Sequence, residues 1–135
     1  MKLQLLCDSR INKSDWENVM SVRVEKNKGV WTIIHSRPES RNAMDPSSAD
    51  QLTDAFLEFN KSKDGKVAVF WGEGGAFCAG WDLKFASALN DDDPLKALDI
   101  DLDEKVLKDN NLLPRGPMGP SRLNLKKPVI GAIAG

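Results

Sequence analysis

From Ser21 the chain alternates: SVRVEKN sets apolar against polar positions with a period of two, Asn27-Lys28-Gly29 follows, and VWTIIHS alternates again. That pattern predicts a β-hairpin with its turn at Asn27–Gly29. Arg37-Pro38 ends the second strand, because proline lacks the N–H a ladder needs and restrains the residue before it. Asp45-Pro46 then pairs a capping carboxylate with a proline at the first helical position, where no donor is required. Ala49, Leu52, Ala55, Phe56 and Phe59 follow on one helical face, and Asp64-Gly65 supplies the stop. The continuously apolar run VAVFW predicts a short strand covered on both faces. A second helix is expected to carry Leu83, Phe85 and Ala86.

Further on, Asp91 to Asp93 before Pro94 form another cap-and-proline start, and Leu95, Leu98, Leu102 and Val106 predict an amphipathic helix over 94–109. The segment NLLPRGPMGPS is dense in proline and glycine and predicts a mobile loop or lid. Lys127-Pro128 introduces VIGAIAG, read as a buried strand of small residues. Residues 1–20 show no sustained period and are read as a loosely ordered leader. Residues 21–135 form the domain, with β-β-α-β-α as its leading order of elements.

Composition narrows the class. With 135 residues, 41% hydrophobic and 29% charged, the chain can bury a real core in one domain. The net charge of −1 creates no general field toward nucleic acid or an anionic membrane, so neither is expected as a partner. The cysteines, Cys7 and Cys78, have no zinc or CxxC spacing, which argues against a disulfide framework and a metal site and for a reducing compartment. The first twenty residues are too short in apolar content for a secretory signal and too acidic for a typical transit peptide. A cytoplasmic location is the plain reading, with a mitochondrial one as the alternative.

The chemistry concentrates in GEGGAFCAGWDL, residues 72–83, directly after the apolar strand. Read as a dinucleotide loop, it matches two glycines of GxGxxG. Its sixth position, however, is Phe77, where helix–strand packing asks for a small residue. Read as a bare turn, it needs no function, but a turn does not call for the longer string of AF, two small residues, glycine, a bulky residue, an acid and Leu. His35 has no carboxylate partner by sequence and reads as a structural histidine. Cys78 has no histidine partner and reads as a small packing residue.

AFCAGWDL after a strand, RPESRNAM about thirty-five residues earlier and KPVIGAIAG later, in that order and spacing, resemble the crotonase superfamily, the enoyl-CoA hydratase/isomerase family. The resemblance spans about residues 21–135. It implies an α/β chain of crotonase-like (ClpP/crotonase) ββα spiral fold, incomplete at its C-terminus, with an acyl-CoA thioester as substrate and fatty acid metabolism as the setting. No cofactor is implied beyond the coenzyme A that the substrate carries, no metal is implied, and the full-length form would assemble as a homotrimer or hexamer.

By position in the motif, the resemblance implies that the backbone N–H of Trp81 would be one of two oxyanion-hole donors for the thioester enolate oxygen. Each such donor is worth on the order of 3 kcal/mol in the transition state. Ala79 and Gly80 would let the thioester approach the main chain. Arg41 and Ala43 would lie along coenzyme A, with Phe77, Ala79, Asp82 and Leu83 around its adenine and pantetheine. Arg37, Lys84, Lys126 and Lys127 are candidates for its phosphates. Simpler roles stand beside these: Arg41 as a solvated loop charge, Asp82 as a helix cap, the Trp81 indole as a core residue or a pocket wall. In the family the second donor and the acid/base carboxylates follow the KPVIGAIAG strand. The resemblance therefore implies a lyase or isomerase fragment, inactive alone, with a non-catalytic interaction module as the alternative.

Overall fold

The computed structural model describes residues 20–88 and 116–135. Strands β1 (Val22–Asn27) and β2 (Val30–His35) pair antiparallel, with Asn27 opposite Val30. Lys28 and Gly29 both have positive φ, 47° and 88°, which is the two-residue turn whose twist matches a right-handed hairpin. The chain then crosses through helix α1 (Pro46–Lys61) to β3 (Val67–Gly72), parallel to β2, and β4 (Val129–Ala132) runs parallel to β3. The sheet order is β1-β2-β3-β4, and the short helix α2 (Leu83–Ala88) follows the loop after β3.

Helix α1 starts where its sequence signal places it. The Asp45 carboxylate accepts from the Ser48 N–H at 2.8 Å, and Pro46 occupies the first helical position. Its buried face, Ala49, Leu52, Ala55, Phe56 and Phe59, meets Val22, Trp31, Ile33 and Ala68 of the sheet. Leu52, Phe56 and Phe59 are each at most 2% exposed, and burying such a side chain contributes about 2–3 kcal/mol. The helix ends at Lys61, short of the expected Asp64-Gly65 stop. There the Lys127 ammonium donates to the carbonyls of Phe59, at 2.9 Å, and Ser62, satisfying acceptors the helix leaves open. Edge-on ring contacts continue from Phe56 to Phe70 at 5.4 Å and from Phe70 to Phe77 at 5.0 Å, tying the core to the loop beyond β3.

Two expectations are corrected. The proline- and glycine-rich segment, from Gly116 onward, is a docked turn rather than a mobile lid. Gly119 donates to the Gly116 carbonyl at 3.0 Å, a 3-10 turn follows at Pro120–Arg122, and Met118, Leu123 and Leu125 pack on the core. These three apolar side chains outweigh the freedom of the glycines around them. The VIGAIAG strand is not buried: Val129, Ile130 and Ile133 are 38%, 58% and 73% exposed. Among the described residues β4 pairs only with β3. The helix expected over 94–109 and, apart from Met20, the leader expected over 1–20 lie outside the described residues, as does Cys7. No described helix is long and apolar enough to cross a membrane.

Candidate active site

The turn 37–44 and the loop 73–82 are locked together. Arg37, 11% exposed, donates to the Ala43 carbonyl at 2.6 Å and to Asp82 Oδ2 at 2.9 Å, and lies 3.3 Å from Asp45 Oδ2. Asn42 is fully buried. Its Oδ1 accepts from the Arg37 N–H at 2.6 Å, and its Nδ2 donates to the carbonyls of Glu73 and Ala76, each at 2.7 Å. Arg41 and Asn42 both sit in the left-handed region, φ 51° and 55°, a conformation that costs a non-glycine residue about 1 kcal/mol or more.

Met44 forms a parallel bridge with Trp81: its N–H donates to the Gly80 carbonyl at 2.7 Å, and its carbonyl accepts from the Asp82 N–H at 2.9 Å. In a parallel bridge one residue bonds the two neighbours of its counterpart, so the counterpart's own N–H points away. The Trp81 amide accordingly has no acceptor among the described residues. Gly80 precedes it at φ 91°, and a Cβ there would meet nothing within 4 Å, so the main chain is approachable on that side. The indole takes the core role: it packs against the hydrophobic cluster and donates through Nε1 to the Pro117 carbonyl at 3.0 Å.

The other residues singled out from the sequence divide by environment. Arg41, Ala79 and Leu83 are exposed, Leu83 at 79%, and the Arg41 guanidinium has no partner among the described residues. Ala43 is buried and contributes its carbonyl to Arg37. Phe77 is half-buried, its ring on Phe70 and its N–H on the Ala134 carbonyl at 2.8 Å. Asp82 is buried and caps α2, accepting from the N–H groups of Lys84 and Phe85. Burial pushes its carboxyl up, but the hydrogen bonds from Arg37, Phe85 and Lys84 and the Arg37 charge outweigh that, so it ionises below the usual range. Arg37 and Lys127, considered for coenzyme A phosphates, are spent inside the protein; Lys84 and Lys126 are exposed. Cys78 is a free, half-buried thiol whose sulfur accepts from the Gly80 N–H at 3.4 Å.

Sequence reasoning passed over Glu73. Arg23 grips it with two parallel hydrogen bonds of 2.7 and 2.8 Å, and the Ser36 hydroxyl adds a third at 2.6 Å. The bonds from Arg23 and Ser36 hold its carboxyl down to about 2. The carboxylates of Asp45, Glu73 and Asp82 are therefore all engaged, and none is a free proton carrier beside Trp81.

His35, at the end of β2, is fully buried, and neither ring nitrogen finds a partner among the described residues. Burial first, and then the Arg37 charge, push its pKa down from 6.5 to about 4, against opposing pulls from Asp45 and Glu39. A base with a depressed folded pKa takes up its proton more readily in the unfolded chain. Stability is thus complete above pH 6.5 and falls as the pH drops from there toward 4. Between about pH 7 and about pH 4.5 this group alone should remove about 2 kcal/mol. Urea unfolding at both values should show that loss, and His35→Met should abolish this share of the slope.

Residues 25–113 match the enoyl-CoA hydratase/isomerase family model. The chain belongs to the enoyl-CoA hydratase/isomerase family, and its fold is crotonase-like. A probable peroxisomal enoyl-CoA hydratase 1 of Arabidopsis thaliana is 29% identical over 119 residues, covering 88% of this chain and 38% of that protein. A carnitinyl-CoA dehydratase of Salmonella arizonae is 32% identical, covering 85% and 38%. The crystal structure of a probable enoyl-CoA hydratase/isomerase from Mycobacterium abscessus superposes with a TM-score of 0.63 at 30% identity, again over 85% of this chain and 38% of the other. The chain thus spans well under half the length of these relatives. The dinucleotide alternative also fails on geometry: α2 begins at Leu83, eleven residues past the strand end at Gly72, rather than directly after a tight glycine turn.

Proposed function

We propose that this chain binds acyl-CoA thioesters and stabilises the oxyanion of a thioester enolate through the Trp81 N–H. The observation that carries this reading is the unbonded Trp81 amide beside an approachable Gly80, held in place by hydrogen bonds on both sides of it. A preorganised donor of this kind is worth most where water is excluded and nothing has to reorient as charge develops. Any residue except proline can supply it, so a tryptophan whose ring faces the core serves as well as a small residue.

Arg41 supports the coenzyme A end of the reading. It holds a strained left-handed backbone that glycine would adopt freely, and its guanidinium stands exposed without a partner among the described residues. A phosphate or adenine contact gives that side chain a use. Ala79 and Leu83 are exposed on the neighbouring loop, as a pantetheine contact requires.

The described carboxylates next to Trp81 are all engaged, so this segment supplies binding and oxyanion stabilisation and not the proton transfer. The acid and base, the second donor and the choice among hydration, isomerisation and related reactions belong to residues outside those described. On the same reading the protein acts in fatty acid metabolism in the cytoplasm or mitochondrion, and its full-length form assembles as a trimer or hexamer.

Titration decides the reading. Acetoacetyl-CoA should bind saturably and develop the ultraviolet band of its enolate, and NADH should not bind. Saturable binding of NADH, or no binding of acetoacetyl-CoA, would overturn it.

A further inference from the structure

The geometry points to Asn42 as a positioning residue for the Trp81 amide, an inference that rests on the acyl-CoA reading above. Asn42 touches no reacting atom. Its amide uses both donors and its acceptor at once, on Glu73, Ala76 and Arg37, at 2.6–2.7 Å and in full burial. Those contacts fix the entry of the loop that leaves β3. Two residues later Met44 fixes the exit of the same loop, bonding Gly80 and Asp82 on either side of Trp81. One short turn therefore holds the loop at both ends, and Asn42 sets the position of that turn relative to the entry.

The carbonyls of Glu73 and Ala76 are half-buried and face this side chain. Without Asn42 they lose their donor; Glu73 stays held by Arg23, Ser36 and the His35 carbonyl, so the shift falls on the turn that carries Asn42, and the Met44 bridge slides against residues 80–82. A displacement of the order of 1 Å at a donor costs about a hundredfold in a preorganised site. The left-handed φ of 55° at Asn42 explains the residue type: asparagine tolerates this region better than other side chains and still offers the two-donor amide.

Asn42→Gly tests the idea, because glycine keeps the left-handed backbone and deletes only the clamp. In acetoacetyl-CoA the C2–H bond breaks, the proton passes to solvent, and the electron pair moves onto the thioester oxygen; the enolate band of bound ligand reads how well that oxygen is held. In the full chain, Asn42→Gly should lower the enolate fraction at saturation by about ten- to a hundredfold, the upper end corresponding to a full 1 Å displacement. Affinity for coenzyme A, which has no acyl oxygen, should fall far less than the enolate fraction. A readout that needs no ligand accompanies it: hydrogen exchange at the Asp82 amide, protected by Met44, should speed up while that of Ile33 in β2 does not.

Wild-type enolate fraction or wild-type Asp82 protection in Asn42→Gly would overturn the inference. Asn42→Ser guards against misfolding: parallel loss of coenzyme A affinity, Ile33 protection and enolate in both variants would assign Asn42 to the fold alone and overturn it equally. Wild-type protein whose Asp82 protection depends on Asn42, but which never binds acetoacetyl-CoA, would sink the acyl-CoA reading and uphold the mechanical link.

Discussion

Trp81→Pro is expected to reduce the enolate yield of bound acetoacetyl-CoA by about 100- to 1000-fold, the loss that follows removal of one oxyanion donor. Proline deletes the single hydrogen at issue. The Met44 bridge uses the Gly80 carbonyl and the Asp82 N–H, neither of which belongs to residue 81, so its bonding groups survive the change. Trp81→Phe is the matched control. It loses the Nε1 bond to Pro117, worth about 1 kcal/mol of stability, but keeps the backbone donor and should keep the enolate band. Equal activity in the two variants would show that the amide at 81 holds no oxygen.

The largest expected effect on folding belongs to Arg37. Asp45 and Asp82 are both buried, and the guanidinium is the cation that faces them. Removing one partner from a buried charge cluster leaves its counter-charges uncompensated and costs about 3–5 kcal/mol. Arg37→Ala also strips the Ala43 carbonyl of its donor. Arg37→Lys keeps the charge but not the planar fork that reaches several acceptors together, so it should fall between wild type and Ala in denaturant midpoint. An Arg37→Ala protein as stable as wild type would mean that the two carboxylates need no counter-charge.

Local signals were legible in the sequence wherever the chain speaks to itself over a few residues. Asn27–Gly29 gives the hairpin turn, Asp45-Pro46 the helix start, and the spacing of Leu52, Phe56 and Phe59 the buried helix face. The string AFCAGWDL located the candidate site through a family pattern, not through its physics. What stayed hidden depends on long-range partners. Arg37 and Lys127 look like surface cations until the fold brings Asp82 to one and the end of α1 to the other. Asn42 stands in the motif RPESRNAM, but its clamping role gives no local signal, since its acceptors are main-chain carbonyls 31 and 34 residues away.

The bridge between Met44 and residues 80–82 is made wholly of peptide groups, so it places no demand on the side chain it presents. Such a clasp separates two tasks that usually compete at one position. The N–H that the bridge leaves unbonded belongs to the main chain, and the ring attached to the same α-carbon is recruited for structural bracing, here against Pro117. A protein built this way can exchange the side chain at residue 81 for another packing group without moving the N–H that the same residue presents.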